Sequence, residues 1–231
     1  MKSIKAIAAA LCVGIMVSAC GSAAGNGALI GTGGGAVLGA IAGRLIGGNA
    51  KGTAIGGAVG AAVGATAGTL IGKHMDKVKA EAAAKAQAAQ VEMIKDANGL
   101  DCVKVTFGEN GIKFATNSSE LNDAAKGELA KFAGVLKNNT DCDVAIYGHT
   151  DSSGNDAINL PLSKKRAESV NAYLKTCGVT ATQVKDVQGL GSSIPAGDNS
   201  TAAGKAQNRR VEVYLYPSDR MIEAAKNGTL K

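Results

Sequence analysis

The sequence predicts an α/β (α+β) domain whose helices pack on one sheet, preceded by a glycine-zipper helical hairpin and a helical spacer. Three observations carry this. Strand-type alternation and helix-type periodicity exchange places over residues 99–216, glycine recurs at every fourth position over residues 27–72, and residues 73–98 turn to alanine, lysine, glutamate and glutamine. The length of 231 residues accommodates one ordinary domain and a long non-globular part. Thirty-two glycines against three prolines and no tryptophan depart from the usual globular average. The formal charge of +6, less the two charges of Lys2 and Lys5 in a leader without acids, leaves +4. That excess is mild and scattered, which argues against a nucleic-acid partner.

At the N-terminus, Met1-Lys2-Ser3-Ile4-Lys5 is a short basic stretch, and residues 6–17 are apolar but too short to span a bilayer comfortably. Val17-Ser18-Ala19-Cys20 then resembles a lipobox. The resemblance implies a lipoprotein signal peptide over residues 1–19, cleavage before Cys20, a diacylglycerol on the Cys20 thiol and a third acyl chain, such as palmitate, on its new amine. Several chains make a stable anchor where a single one binds marginally. Residues 20–26 are the lipidated N-terminus, and Gly21-Ser22 is not the acidic pair that signals inner-membrane retention in enterobacteria.

Gly27, Gly31, Gly35, Gly39, Gly43 and Gly47 stand four apart, and after a one-residue slip Gly52, Gly56, Gly60, Gly64, Gly68 and Gly72 repeat the spacing. Four residues approximate one helical turn, so each run lays a strip of hydrogens along one helix face where a second backbone can approach closely. Each run would extend about 31 Å as a helix, close to the hydrocarbon thickness of a bilayer. The break at Gly48-Asn49-Ala50-Lys51 suits a tight turn, which gives a membrane-associated hairpin over residues 27–72. Glycine costs about 1 kcal/mol per helical position in water, so these helices need lipid or close packing, and a flexible Gly/Ala tether is the alternative. Lys79, Glu81, Lys85, Gln87, Glu92 and Lys95 then mark a solvated helical spacer over residues 73–98, ending at Asn98-Gly99. As one helix it would reach about 37 Å.

The C-terminal domain, residues 99–216, begins with a strand-like alternation over residues 102–107. Asn110-Gly111 is a hairpin signal, and Ile112-Lys113-Phe114 the expected returning strand. Leu121, Ala125, Leu129, Phe132, Ala133 and Leu136 fall at helical intervals. Residues 144–148 read as a buried strand, and a second helix from about Leu160 carries Ala167, Val170 and Leu174 as its apolar stripe. Residues 184–190 form a weak strand and residues 210–216 a strong one. Residues 217–231 are a tail in which Met221, Ile222 and Ala225 suit a short helix.

Gly148-His149-Thr150-Asp151, Asn159, Leu162-Ser163-Lys164-Lys165-Arg166-Ala167 and Asn208-Arg209-Arg210-Val211-Glu212 occur in that order. Their order and spacing resemble the peptidoglycan-binding domain at the C-terminus of the outer-membrane protein A (OmpA) family, over roughly residues 100 to 216. The resemblance implies a βαβαβ-type mixed sheet with helices on one face. It also implies a diaminopimelate-binding site in which Asp151 takes the ammonium, Arg166 takes the carboxylate, and Asn159 and Arg209 support them; Arg210 is the second arginine of its pair. The residues agree with that chemistry, because an acid and a forked guanidinium at one pocket suit a zwitterion. Asn159, Ser163 and Arg166 share one helix face. Ala115 departs from the family pattern, which places an aspartate after the phenylalanine, so contact at that edge is expected to be altered. The bland alternatives are a surface Asp151–Arg166 salt bridge, Asn159 as a helix cap, Arg209 and Arg210 as an edge-strand pair, and His149 as a structural turn residue.

Catalysis is not expected. His149, Asp151, Ser152 and Ser153 are nearly consecutive and lack a nucleophile elbow, two histidines are too few for a zinc enzyme, and the Gly-Lys at residues 72–73 misses phosphate-loop spacing. Neither metal nor cofactor is expected. Cys102, Cys142 and Cys177 remain beyond the leader and Cys20, with Cys142–Cys177 or Cys102–Cys142 as candidate disulfides and free buried thiols as the alternative. The sequence therefore reads as a non-catalytic lipoprotein anchored in the outer membrane by acylation and the zipper, with its C-terminal domain in the periplasm on peptidoglycan. The second reading makes the zipper primary, as a homo-oligomeric membrane assembly or pore that the domain only localises.

Overall fold

The computed structural model describes residues 64–96, 99–108, 110–115 and 117–230. The leader, Cys20 and the glycine runs up to residue 63 lie outside the described residues. The ordered elements are α1 (Ala65–Lys85), β1 (Gln90–Lys95), β2 (Asp101–Phe107), α2 (Asp123–Asn138) and β3 (Cys142–Gly148). They continue as α3 (Asp156–Thr176), β4 (Val184–Gly189), α4 (Ala202–Asn208), β5 (Val211–Pro217) and α5 (Asp219–Lys226). The five strands form one mixed sheet in the order β1-β2-β5-β3-β4, in which only β3 and β4 run parallel. Alternation along the strands sends Val103, Val105, Phe107, Val144, Ile146, Val211, Val213 and Leu215 to the helix-covered core. Cys102, Ala145, Tyr147 and Tyr214 go to the other face, with Ile94 beside them.

The expected solvated spacer is a core helix followed by a strand. Ala67, Ile71, Met75, Val78 and Ala82 are buried on one face of α1, which packs against β2, α2, α5 and β1. Their spacing of four, four, three and four residues is the helical stripe that the charged outer face conceals in the sequence. Glu81 fixes the far end by accepting hydrogen bonds from Asn138 Nδ2 at 2.6 Å, in the last turn of α2, and from Nδ2 of the C-cap Asn139 at 2.9 Å. α1 also runs through Gly68 and Gly72, so the last turns of the second glycine run belong to the domain and the expected boundary at residues 72–73 is not a structural break. Among the described residues no helix is long and apolar enough to cross a membrane.

β1 takes the edge of β2 that Ile112-Lys113-Phe114 was expected to fill. Lys95 pairs with Asp101 across the turn, where Gly99 has φ of 76°, so the glycine marks a hairpin turn and not a helix stop. Residues 112–114 are irregular. A Cβ on Gly111 would stand 2.8 Å from the Ala88 carbonyl oxygen, which shows how closely this loop lies on the α1–β1 connection. Burial of Ile112 completes the loop's docking.

α2 begins at an Asn122 cap, whose side chain accepts from the Ala125 N–H at 2.8 Å, and buries the expected apolar positions. α3 begins earlier than expected: Asn155 is its cap, accepting from Ile158 N–H at 3.2 Å, and the exposed Asp156 opens it. Pro161 falls inside this helix. A Cβ on Gly148 would lie 2.0 Å from Ser163 O, and one on Gly189 would lie 2.2 Å from Lys164 N. These two glycines let α3 rest directly on the β3–β4 pair, a close approach that a larger residue forbids. At the C-terminus, α5 buries Met221, Ile222 and Ala225, and the tail is thereby part of the packed domain, in contact with α1. Cys102, Cys142 and Cys177 are all free thiols.

Candidate ligand pocket

Asp151 stands in the loop after β3, Asn159 and Arg166 on α3, and Arg209 at the exit of α4. The sheet order brings them together because β5, which follows Arg209 and Arg210, lies beside β3 in the middle of the sheet. Lys113, Phe114, Ala115 and Asn117, from the loop after β2, close the other side. The result is an open cavity of about 460 Å³, lined by Phe114, Asp151, Asn159, Arg166 and Arg209 among others.

Asp151 is held at both carboxylate oxygens. Arg209 Nη1 donates to Oδ2 at 2.8 Å and the Ser153 N–H donates to Oδ1 at 2.8 Å. Burial pushes this carboxyl up, but the Arg209 and Ser153 hydrogen bonds outweigh it and hold the group below the usual carboxylate range. Asn159 is 2 % exposed and its Nδ2 donates to the Asp151 carbonyl at 3.3 Å, so it sits inside α3 and braces the loop instead of capping the helix.

Arg166 is 3 % exposed, yet its partners are main-chain and aromatic. Nε donates to Ser118 O at 3.0 Å, Nη2 donates to Ala115 O at 3.4 Å, and the guanidinium lies 4.9 Å over the Phe114 ring. Burial, and then repulsion from Arg209, lower its proton affinity, while Asp151 raises it. Nη1 takes no part in these bonds. Asp151 and Arg166 therefore share a wall without forming a direct salt bridge, and Arg209 is the arginine paired with the acid.

Ser163, expected on the same helix face, is buried but faces the sheet side, where its Oγ accepts from Gly191 N–H at 2.9 Å. Arg210 points away from the pocket. Its Nε donates to Glu212 Oε1 at 2.8 Å, and Glu212 also lies 3.3 Å from His149 Nε2 and accepts from Tyr214 OH at 2.5 Å. Burial pushes Glu212 up, but His149, Arg210 and Tyr214 together drive it well below the usual range. Burial keeps His149 low, in its neutral form. This network belongs to a central strand, so the edge-strand reading of Arg210 does not hold.

Asn208 had no assigned role, yet it is fully buried and organises the entry to Arg209. Its Oδ1 accepts from Ala196 N–H at 2.7 Å and Gly197 N–H at 2.8 Å, and its Nδ2 donates to Asn199 Oδ1 at 2.8 Å. Asn199 Oδ1 also accepts from Ser152 N–H at 3.0 Å, which links this loop to the one bearing Asp151. The invisible partner in the sequence was Phe114. A lone aromatic beside Ala115 gives no signal that an arginine far along the chain will lie on its face.

Residues 113–209 match the OmpA family, and residues 1–76 match the YMGG-like Gly-zipper family. The probable lipoprotein YiaD of Escherichia coli K12 is 37% identical over 144 residues, covering 62% of this chain and 64% of that protein. The outer-membrane lipoprotein YfiB of Pseudomonas aeruginosa is 39% identical over 104 residues, 45% of this chain and 61% of its own. The peptidoglycan-binding protein ArfA of Mycobacterium tuberculosis is 41% identical over 104 residues, 45% of this chain and 32% of its own. The chain thus matches less than two thirds of the length of each of these relatives. Among solved structures, the cell wall anchor of the T6SS from Pseudomonas aeruginosa shares 27% identity at a TM-score of 0.50, over 62% of this chain and 96% of that one.

Proposed function

We infer that this chain, an OmpA family domain behind a YMGG-like Gly-zipper segment, is a non-catalytic outer-membrane lipoprotein that binds peptidoglycan and ties the membrane to the wall. The observation that carries this reading is the pairing of an ionised Asp151 and a buried Arg166 on one open pocket without a bond between them. A ligand with an ammonium and a carboxylate on one carbon meets both charges at once. Diaminopimelate in the peptide stem presents that group. Its ammonium would approach Asp151, shared with Arg209, and its carboxylate would approach the edge of Arg166 that neither carbonyl uses. Supporting the reading are the names of the relatives, two lipoproteins and one peptidoglycan-binding protein. Acylation at Cys20 and insertion of the zipper would supply the membrane end.

The ligand is tested by calorimetric titration of the full chain with two stem tripeptides, one ending in diaminopimelate and one in lysine. Lysine keeps a terminal ammonium but lacks the second carboxylate on the same carbon. Binding weaker by about tenfold or more for the lysine peptide supports the zwitterion reading, since each tenfold step is about 1.4 kcal/mol. Equal affinity contradicts it.

A further inference from the structure

We propose that His74, Asp141 and Cys142 form a binding site for a thiophilic divalent cation of the zinc class, with the Met75 thioether beside it. One ligand atom from each of the three residues lies within 4.8 Å of the others, and His74 Nε2 is 3.1 Å from Asp141 Oδ2. Tetrahedral zinc ligation, with bonds of about 2.0–2.3 Å, places nitrogen, oxygen and sulfur donors about 3.3–3.8 Å apart, so the three need shifts of no more than about 1 Å to enclose an ion. Met75 Sδ lies 3.9 Å from Cys142 Sγ and adds a soft atom at the inner side.

The donors come from two elements that the core already fixes. His74 and Met75 lie on α1, Cys142 opens β3, and Asp141 is in the turn before it. The backbone of that turn is held by the Cys142 N–H to Asn139 O at 3.1 Å and by the Ser218 N–H to Asp141 O at 3.2 Å. Cys142 and Met75 are fully buried, whereas the His74 and Asp141 side chains are 16% and 34% exposed, which gives an ion a way in from solvent. Thiolate, imidazole and carboxylate are the ligand types that zinc takes, and a fourth position remains for water or the thioether. Burial first, and then Asp141 and Asp143, push the Cys142 thiol far up, so the metal-free site carries S–H. On binding, the S–H bond breaks, a sulfur–metal bond forms, and the proton leaves to solvent. The cation replaces the His74–Asp141 contact and offsets the repulsion between carboxylate and thiolate. Its structural effect is to pin α1, the element that leads in from residues 1–63, onto the sheet.

The probe is Co²⁺, titrated into tag-free full chain purified in detergent after chelation, followed by Zn²⁺. The expected result is one Co²⁺ per chain, with tetrahedral d–d absorption and a thiolate-to-cobalt charge-transfer band, both removed by Zn²⁺, and a thermal midpoint that rises with Zn²⁺. Cys142→Ser should abolish the charge-transfer band, while His74→Gln and Asp141→Asn, at partly exposed positions that leave the fold intact by circular dichroism, should weaken binding on the order of tenfold or more. Absence of the charge-transfer band in the wild type overturns the proposal. So does an affinity unchanged in both His74→Gln and Asp141→Asn.

Discussion

Arg166 holds two roles through separate faces of one guanidinium. It fastens Ala115 and Ser118 through their main-chain carbonyls, and it presents positive charge to the pocket. Arg166→Lys separates them: lysine retains the charge but has no planar fork and no stacking surface for Phe114. Binding to peptidoglycan is expected to fall by about tenfold or more, while urea titration shows a loss of at most about 2 kcal/mol. Asp151 and Glu212 set the acid limit. Both are held below their ordinary pKa when folded, so their stabilisation is complete above the unfolded carboxylate values of about 4 and is lost as pH falls through the lower folded values. Denaturant midpoints should therefore decline gently below about pH 6.5, where the unfolded His149 takes up a proton that the buried one refuses, and more steeply below about 4, with a shallower acid drop in Asp151→Asn. An unchanged slope in that variant would remove Asp151 from the account. At this scale the order and spacing of Asp151, Asn159, Arg166 and Arg209 marked them as one group, and the fold brings all four to one cavity. The sequence did not reveal that Arg209 pairs with Asp151 or that Phe114 supports Arg166, since those contacts depend on how distant loops meet.

Among the elements, α1 and β1 change the reading most. A composition of alanine, lysine and glutamate describes the solvent face of α1, whereas the buried face of Ala67, Ile71, Met75, Val78 and Ala82 decides where the helix goes. Similarly, Gln90–Lys95 carries polar residues at Gln90, Glu92 and Lys95, because one edge and one face of β1 meet solvent, and this masks the strand. The strands β3 and β5 and the helices α2 and α3 were legible because their apolar runs have a clear period and few competing signals. A protein trimmed to residues 98–231 would expose the edge of β2 and the core beneath α1, and it is expected to aggregate. In the full chain, Ile71→Ala should cost about 2–5 kcal/mol by urea titration, the range for truncating a buried aliphatic side chain. A cost below about 0.5 kcal/mol, typical of surface positions, would restore α1 to the status of a spacer.

For the molecule as a whole, α1 lies in the core and only residues 86–89 join it to β1, so any pull that reaches Gly64 enters the core directly. That geometry suits a tether, because load passes through buried packing and the Glu81 hydrogen bonds before it reaches the pocket. The zipper remains the reason to consider a homo-oligomer, and several pockets on one assembly would strengthen attachment to a polymeric wall without any new contact. The decisive measurement is sedimentation of the detergent-solubilised full chain with insoluble peptidoglycan, for the wild type, Asp151→Ala and Arg166→Ala, each checked for fold by circular dichroism. The wild type is expected to pellet with the wall, and both folded variants to stay in the supernatant. A wild type left in the supernatant, or folded variants that pellet as fully as it does, would contradict the tether and its pocket.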